Sequence, residues 1–258
     1  MLALFLLICF LRYSGLWLLA RLRGRAVTPL ERAQWMQSSG RLVLTAMGIR
    51  WRVEGVLPSD ATLVVANHLS YLDIVIASVA VPCAFVAKKE IADWPVFGPL
   101  GAIGGTIFLD RASRASAWAT VDVMAQRLAD QVPVLFFPEG TSTDGSQVTR
   151  FHSTLFAPAV EAGLPVIPAA IFYEPNADNI AERNVCWFGD DAFLPHLLQV
   201  LALRDFTAVM CFGTPEIYPD RRTAAWRSHD AVECLRAKGS APSREKRAHA
   251  QCASQSLV

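Results

Sequence analysis

The sequence predicts an α/β fold in which helices flank a largely parallel central sheet, with an N-terminal membrane-associated apolar helix or helical hairpin. Two observations support this fold class. Strand-like and helix-like patterns alternate through the middle of the 258-residue chain, as in folds whose parallel strands are joined by helices. In addition, 53% of the residues are apolar, which is enough to build one sizeable core.

The first half of the chain begins this alternation. Residues 29–47 have the apolar spacing of an amphipathic helix, and residues 49–55 alternate in the manner of a half-buried strand. The apolar run 61–67 is rich in β-branched residues, as expected of a buried strand, and a helix follows over 71–80. Further strands are expected at 83–88 and 105–110.

The second half continues the pattern. A helix is expected over 113–130 and a buried strand over 132–138, VPVLFFP. Residues 151–163 have a helical pattern that ends at a glycine, directly before the predicted strand 164–173. A late strand is expected within 207–218.

Three regions follow from these patterns. Residues 1–47 are expected to form membrane-associated helices, and residues 48–235 the α/β domain. Within that domain, residues 174–206 have no clear periodicity and are interpreted as an insertion of mixed structure. Residues 236–258 are polar, small and charged, which is typical of a disordered tail.

The amino terminus has the signature of a membrane surface. Residues 1–20 are apolar apart from three polar positions in the middle, and the basic sequence RLRGR follows. Residues 1–53 contain eight arginines and one glutamate, and anionic headgroups attract such a stretch. One interpretation is a spanning anchor, and the other is an interfacial hairpin broken near Tyr13–Gly15 that lets Arg12 reach the headgroups. Both place the chain at the inner membrane with its main domain facing the cytoplasm.

Charge and cysteine content limit the other classes of function. The formal net charge is +1, which argues against a nucleic-acid partner. The six cysteines are scattered without a C-x-x-C pair, so we expect a reducing compartment and unpaired thiols. The five histidines are equally dispersed, and no metal site is expected.

The segment VVANHLSYLD brings His68 and Asp73 to the end of a predicted buried strand. If a turn separates that strand from the next helix, the carboxylate of Asp73 can orient the imidazole of His68, whose other nitrogen would then act as a general base. A second interpretation stays open. Ser70 and Asp73 also have the spacing of a capping box, in which the aspartate only stabilises the start of the helix.

Two further strand ends carry candidate ligand-binding residues. FFPEGTSTDG (136–145) follows a buried strand, and its small residues expose backbone N–H groups that suit an anion or an oxyanion. GTIFLDR (105–111) ends with an arginine that can clamp a phosphate or pair with a surface carboxylate. Because ligands bind at the carboxyl ends of strands in open parallel sheets, these loops are expected to line one site.

Four segments in this order resemble the four sequence blocks of the lysophospholipid acyltransferase family, which includes the bacterial 1-acylglycerol-3-phosphate acyltransferases. The segments are NHLSYLD (67–73), GTIFLDR (105–111), FPEGTS (137–142) and LPVIPAAI (164–171). The resemblance covers roughly residues 45–218 and implies that residues 48–235 are an acyltransferase domain.

The resemblance implies acyl transfer from acyl-CoA or acyl carrier protein to the free hydroxyl of 1-acyl-sn-glycerol-3-phosphate, giving phosphatidic acid. In these terms His68 is the base and Asp73 orients it. The residues implied to bind substrate are Arg111, Glu139, Gly140 and Thr141, together with Lys88 or Lys89. The thioester is a co-substrate, and neither a cofactor nor a metal is implied. The expected partners are membrane lipids, the lysolipid acceptor and the acyl donor.

One position departs from the family pattern. Members that act on lysophosphatidic acid usually read F-P-E-G-T-R-S, whereas this chain has Ser142 at the position of the arginine. This loss of a cation weakens the case for a phosphate monoester headgroup, although Arg111 and a lysine remain, so lysophosphatidic acid is still the first expected acceptor. The sequence is also similar to the branch that includes lyso-ornithine lipid O-acyltransferases, which makes lyso-ornithine lipid the alternative acceptor. A lipid hydrolase is an alternative from another class, although the chain lacks a G-x-S-x-G motif. A non-catalytic lipid-binding module is the third alternative.

Overall fold

The computed structural model describes residues 2–58, 61–110, 114–176, 180–203 and 205–255. The strands in these ranges are β1 (Arg50–Glu54), β2 (Leu63–Ala66), β3 (Ala84–Lys88), β4 (Ile107–Leu109), β5 (Val134–Phe136), β6 (Val166–Pro175) and β7 (Phe206–Phe212). The α-helices are α1 (Leu2–Leu22), α2 (Pro29–Met47), α3 (Leu72–Ala80), α4 (Phe97–Gly104), α5 (Arg114–Ala129), α6 (Ala157–Glu161), α7 (Phe193–Ala202) and α8 (Arg221–Gln255).

The described strands form one sheet in the order β1-β7-β6-β2-β5-β3-β4. Every neighbouring pair is parallel except β6 and β7, which are antiparallel. The predicted α/β class with a largely parallel sheet is therefore confirmed. Because β2, β3, β4 and β5 run in the same direction, the segments that follow them emerge at one edge of the sheet.

Helices cover both faces of the sheet, and strand β2 shows how the two cores divide. Val64 and Ala66 face one core, which includes apolar residues of α2, α3 and α7. Leu63 and Val65 face the other core, which includes residues of α5, α6 and α8. All four β2 side chains are fully buried, as the apolar run predicts for a central parallel strand.

Two elements are shorter than the sequence predicts. The expected helix 151–163 consists of a 3-10 turn, Thr154–Phe156, and the five-residue helix α6. Strand β7, expected within 207–218, ends at Phe212. Beyond it, the main-chain N–H of Gly213 still donates to the carbonyl of Pro168 at 2.7 Å, and Glu216 forms an isolated bridge with Val166.

The amino terminus differs from the predicted hairpin. Helix α1 continues without a break through Tyr13–Gly15, and it packs against α2. The guanidinium of Arg12 donates to the hydroxyl of Ser38 at 2.9 Å, so it is bound by α2 rather than left to reach headgroups. Trp35 of α2 donates its indole N–H to the carbonyl of Cys9 at 3.1 Å. No helix within the described ranges is long and apolar enough to cross a membrane.

The carboxyl-terminal helix extends into the region for which the composition predicts a disordered tail. Helix α8 runs over Arg221–Gln255, so the chain stays helical well beyond residue 236, where disorder was expected. Arg236 is 9% exposed, and its guanidinium donates to the carbonyls of Ile171 and Gly145 at 2.7 and 2.8 Å. The composition of the tail is polar, but this arginine binds the interior of the domain.

Candidate active site

His68 and Asp73 meet in the turn between β2 and α3. Strand β2 ends at Ala66, and Asp73 lies in the first turn of α3. The imidazole Nδ1 of His68 is 2.7 Å from Oδ2 of Asp73. Since an ionised carboxylate only accepts hydrogen bonds, Nδ1 is the donor of this bond, which in the neutral imidazole leaves the lone pair on Nε2. The predicted pairing across a strand-to-helix turn is present.

The carboxylate of Asp73 is fully buried and heavily hydrogen-bonded. Its Oδ2 also accepts from the main-chain N–H groups of Leu69 and Ser70, at 2.6 and 2.9 Å, and its Oδ1 accepts from the hydroxyl of Tyr173. Asp73 therefore binds the main chain of the turn as well as the imidazole. The two interpretations of the sequence, imidazole partner and turn stabiliser, describe the same side chain.

The ring of His68 is held from its second side by the loop after β5. It stacks on the ring of Phe137, with centroids 4.2 Å apart and planes inclined by 10°. The main-chain carbonyl of His68 accepts a hydrogen bond from the N–H of Thr143 at 2.9 Å. The His68 side chain keeps 20% of its surface exposed, so a ligand can reach a ring whose orientation is fixed.

Glu139 joins the same two loops. It is 5% exposed, and its Oε1 accepts from the main-chain N–H of His68 at 2.7 Å. Its Oε2 accepts from both the main-chain N–H and the hydroxyl of Thr149, at 2.8 and 2.7 Å. The sequence did not predict this bracing role, and contact between Glu139 and a headgroup stays a prediction.

The neighbouring positions of this loop differ in exposure. Gly140 adopts a left-handed conformation, with φ of 75°, and its N–H donates to the carbonyl of Phe137 at 3.1 Å. Thr141 is exposed. Because the N–H of Gly140 is already hydrogen-bonded within the turn, a ligand at this loop can contact Thr141 more readily than Gly140.

The basic residues lie further along the same edge. With strands about 4.8 Å apart, the ends of β3 and β4 lie roughly 10 and 14 Å from the end of β2. Lys88 is exposed at the end of β3, and the ammonium of Lys89 lies 2.9 Å from the carboxylate of Asp110, which follows β4. The hydrogen bond to Asp110 raises the pKa of Lys89. Arg111, the predicted phosphate clamp, lies outside the described residues.

Comparison with known proteins identifies the family. The Acyltransferase family profile matches residues 49–172. The lyso-ornithine lipid O-acyltransferase of Pseudomonas aeruginosa is 38% identical over 185 residues, which are 70% of this chain and 69% of that protein. The 1-acyl-sn-glycerol-3-phosphate acyltransferase of Neisseria meningitidis is 36% identical over 188 residues, 72% of this chain and 69% of that protein. The chain belongs to the acyltransferase family.

A solved structure supports the fold of this acyltransferase. The crystal structure of the 1-acyl-sn-glycerophosphate (LPA) acyltransferase PlsC from Thermotoga maritima superposes with a TM-score of 0.61. The match covers 81% of this chain and 80% of that one, at 21% identity. The family resemblance predicted from the four sequence blocks is confirmed.

The acyltransferase also places residues at this site that were not among the predicted site residues. Asn67 is buried, and its side-chain amide donates to the carbonyl and accepts from the N–H of Ile171, at 2.9 and 2.8 Å. Tyr173 lies two residues further along β6 and reaches Asp73. The main-chain N–H of Trp187 donates to the carbonyl of Leu69 at 2.8 Å, so the insertion 174–206 contacts the same turn.

Only Asn67 had a sequence signal, because it begins the NHLSYLD block. Tyr173 ends a long apolar run and Trp187 lies in the segment without periodicity, so nothing local marks either residue as part of the site. Their role depends on how distant parts of the chain pair.

Proposed function

We propose that this acyltransferase is a lysolipid O-acyltransferase, which transfers an acyl chain from a thioester donor to a free hydroxyl of a lysolipid. The observation that carries the proposal is the His68 imidazole, whose Nδ1 is bound to the buried Asp73 and whose ring remains partly exposed. A neutral, oriented imidazole is the group that can accept the proton of an alcohol. The donor is acyl-CoA or acyl carrier protein.

The proposed reaction needs no covalent acyl-enzyme. Nε2 of His68 takes the proton of the lysolipid hydroxyl while its oxygen forms a bond to the thioester carbonyl carbon. Asp73 stabilises the imidazolium that results. The tetrahedral intermediate then collapses with cleavage of the carbon–sulfur bond, and the leaving thiolate takes the proton from His68. The products are the diacyl lipid and the free thiol.

Lyso-ornithine lipid is the acceptor that we favour. Ser142 removes the cation that family members acting on lysophosphatidic acid carry at this position. Relatives named lyso-ornithine lipid O-acyltransferase, from four bacteria, are 32–38% identical to this chain. The relatives named 1-acyl-sn-glycerol-3-phosphate acyltransferase from two Neisseria species, at 36% and 35% identity, make that lysophospholipid the second candidate.

Charge pairing near the site also supports a zwitterionic headgroup. Lys89 pairs with Asp110 at 2.9 Å, and Arg183 pairs with Asp144 of the loop after β5 at 2.8 Å. A phosphate monoester carries nearly two negative charges, and these two cations are already paired with carboxylates. An ornithine headgroup carries an ammonium and a carboxylate, and alternating charges can bind both groups.

We also propose that the protein works at a membrane surface, where its lysolipid substrate partitions. Five leucines of α1 are between 53% and 77% exposed, and they recur at helical spacing on one face: Leu4, Leu7, Leu11, Leu18 and Leu22. The basic sequence RLRGR follows directly. An exposed apolar stripe beside arginines suits the interface of an anionic bilayer, and we place it at the cytoplasmic face of the inner membrane.

The deciding experiment offers lyso-ornithine lipid and 1-acyl-sn-glycerol-3-phosphate in parallel to membranes that contain the protein. Labelled acyl-CoA and labelled acyl carrier protein are supplied in separate reactions. We expect label in ornithine lipid and a loss of at least about 100-fold in the His68→Ala variant, the scale of a general base. The matched control is His152→Ala, since His152 is exposed and its bond to the FPEG loop, from the main-chain N–H to the carbonyl of Pro138, is kept by alanine.

Other outcomes separate the alternatives. Label in phosphatidic acid alone would replace the favoured acceptor with the second candidate. Free labelled fatty acid without a diacyl product would indicate a hydrolase. If a folded His68→Ala variant loses less than about tenfold in transfer, His68 is not the base.

A further inference from the structure

Tyr173 donates a hydrogen bond to the carboxylate oxygen of Asp73 that His68 does not use. Oδ2 of Asp73 accepts from Nδ1 of His68 and from two main-chain N–H groups, while Oδ1 accepts from the Tyr173 hydroxyl. The two residues are 100 positions apart in the sequence. A single tyrosine from β6 therefore completes the hydrogen bonding of the carboxylate that orients the imidazole.

The position of Tyr173 is tightly determined. Its side chain is 2% exposed, and its ring packs edge-on against Phe206 with centroids 5.9 Å apart. Its main-chain N–H donates to the carboxylate of Glu182 at 3.0 Å. Two residues earlier, Ile171 is bound by both ends of the Asn67 amide. Because side chains on a strand repeat with period two, fixing Ile171 also fixes the direction of Tyr173 toward Asp73.

Packing alone does not explain a tyrosine at this position. A phenylalanine would fill the same space and make the same ring contact with Phe206. The hydroxyl is a buried polar group, and such groups are placed in a core only where they find a partner. Here the partner is the carboxylate oxygen of Asp73. The side-chain type is thus explained by Asp73 rather than by the core.

We propose that Tyr173 is a positioning residue for acyl transfer, which fixes the rotation of the Asp73 carboxylate and, through it, the ring of His68. The inference rests on the proposed function, because it assumes that His68 is the base. A carboxylate bound at Oδ2 alone can turn about its own axis, whereas one bound at both oxygens presents Oδ2 to Nδ1 in a single orientation. Burial and the nearby Asp73 carboxylate raise the pKa of Tyr173 well above its ordinary value, so the phenol remains a donor.

The first test is Tyr173→Phe, assayed for kcat and KM with the thioester and the lysolipid. Loss of the group that hydrogen-bonds a functional imidazole in metal sites lowers activity about 10–100-fold. Tyr173 acts one hydrogen bond further out, through Asp73, so we expect a decrease in kcat at the lower end of that range, about tenfold, with KM unchanged. The matched control is Tyr218→Phe, because Tyr218 is also buried, at 7% exposure, and adjoins the opposite end of β6. It should keep wild-type kcat.

A double variant separates positioning from a general loss of stability. Asp73→Asn removes the charge through which Tyr173 is proposed to act, so adding Tyr173→Phe to it should decrease kcat no further. A tyrosine that only supports the core would decrease kcat by the same factor in both backgrounds. Multiplicative losses would therefore overturn the proposal.

A second measurement does not require the phenylalanine variant to fold. Incorporation of 3-fluorotyrosine leaves the ring nearly unchanged in size but makes the phenol a stronger donor. It should draw charge from Asp73, destabilise the His68 imidazolium and move the acidic limb of kcat/KM to lower pH. Of the other ionisable groups around the pair, Glu139, Cys186 and Glu182 are identical in both proteins, whereas Tyr71, at the start of the helix that carries Asp73, is fluorinated as well. Fluorotyrosine-labelled Tyr71→Phe and Tyr218→Phe should show the same shift, because Tyr173 keeps its fluorine in both.

The outcomes distinguish the two proposals. If the wild-type protein transfers no label to any lysolipid, the proposed function fails and the inference fails with it. If the wild-type protein is active, while a folded Tyr173→Phe variant keeps kcat within twofold or the fluorinated protein shows no shift, only the positioning role is wrong.

Discussion

The carboxylate of Glu139 accepts the main-chain N–H of His68 at 2.7 Å, and this bond couples the FPEG block to the NHLSYLD block. Its other oxygen accepts two hydrogen bonds from Thr149. All three donors are N–H or O–H groups, so the side chain must present acceptors on both sides. An ionised carboxylate meets this requirement, whereas an amide of the same size does not.

Glu139→Gln is therefore expected to weaken the site although it changes the volume very little. The amide NH₂ must face either the N–H of His68 or that of Thr149, and a buried donor left without an acceptor costs about 1–3 kcal/mol. We expect lower thermal stability and lower kcat, measured by melting and by the transfer assay. Glu161→Gln is the matched control, because Glu161 is exposed on α6. Equal behaviour of the two variants would contradict the bracing role.

The Asn67 amide gives a second prediction. Asn67→Ala leaves the main-chain N–H of Ile171 without its acceptor, while the Ile171 carbonyl keeps the bond from Arg236. One unpaired buried donor should lower the free energy of unfolding by about 1–3 kcal/mol. Chemical denaturation measures this change, and the exposed Gln126→Ala is its control. An unfolding free energy equal to that of the control would show that Asn67 does not hold β6 to the turn.

The local part of this site was predictable from the sequence. His68 and Asp73 lie five residues apart at the end of a recognisable buried strand, so their meeting depends on one turn. Lys88, Asp110 and Glu139 could be placed on the same edge because the carboxyl ends of parallel strands share it. These inferences require only strand direction, which the alternation of strands and helices supplies.

The contacts that complete the site depend on information that no local pattern carries. Tyr173 meets Asp73 only because of the register between β2 and β6, in which Ala66 pairs with Ala169. Arg236 lies in a polar segment whose composition indicates disorder, yet its partners Gly145 and Glu182 are distant in sequence. The hairpin break near Tyr13–Gly15 is likewise absent from α1 because of a contact between distant residues: the ring of Tyr13 packs against Trp35 of α2, and the helix continues through this point.

The exposed leucine stripe of α1 predicts binding to anionic vesicles. Leu11→Asp with Leu18→Asp places two charges on the apolar face without touching the buried side of the helix, so binding should decrease strongly. Co-sedimentation with phosphatidylglycerol vesicles measures it, with phosphatidylcholine vesicles as the comparison. The control is Leu194→Asp with Leu198→Asp on α7, where both leucines are also exposed. Unchanged binding by the α1 variant would exclude this face as the membrane contact.

The start of α2 has a pH-dependent contribution to stability. Thr28 and Glu31 form a capping box, and Arg25 donates to Glu31 at 2.6 Å. The hydrogen bond from Arg25, followed by that from the Thr28 main chain, lowers the pKa of Glu31 from 4.5 to about 2. Since the folded-state pKa is the lower one, the stabilisation is complete above pH 4.5 and is lost as the pH falls toward 2.

Glu31→Gln should therefore lower the melting temperature at neutral pH, and the difference from wild type should shrink below pH 4.5. The effect is small, about 1 kcal/mol or less, because the pair is partly exposed. Melting curves across this pH range measure the difference. A difference that stays constant down to pH 2 would show that Glu31 ionisation does not stabilise the helix.

Substitution of Arg236 tests whether α8 is bound to the domain at this position or begins a disordered tail there. Its guanidinium pairs with Glu182 at 2.9 Å and donates to the carbonyls of Ile171 and Gly145, so it ties α8 to β6 and to the loop after β5. Arg236→Ala removes the ion-pair partner of Glu182, whose side chain is 26% exposed, and the donor to two main-chain carbonyls, and losing these bonds together costs roughly 3 kcal/mol. For a protein of this size that corresponds to a decrease in melting temperature of roughly 6–12 °C.

The control for Arg236→Ala is Lys238→Ala, two residues along the same helix and exposed. Because Gly145 ends the FPEGTSTDG segment, the Arg236 variant should also lose transfer activity at temperatures where it remains folded, whereas the Lys238 variant should not. If both variants melt and react like wild type, the contacts of Arg236 do not stabilise the domain, as expected if a disordered tail begins at residue 236. A decrease confined to Arg236→Ala would instead make this helix a structural support of the loop that holds His68.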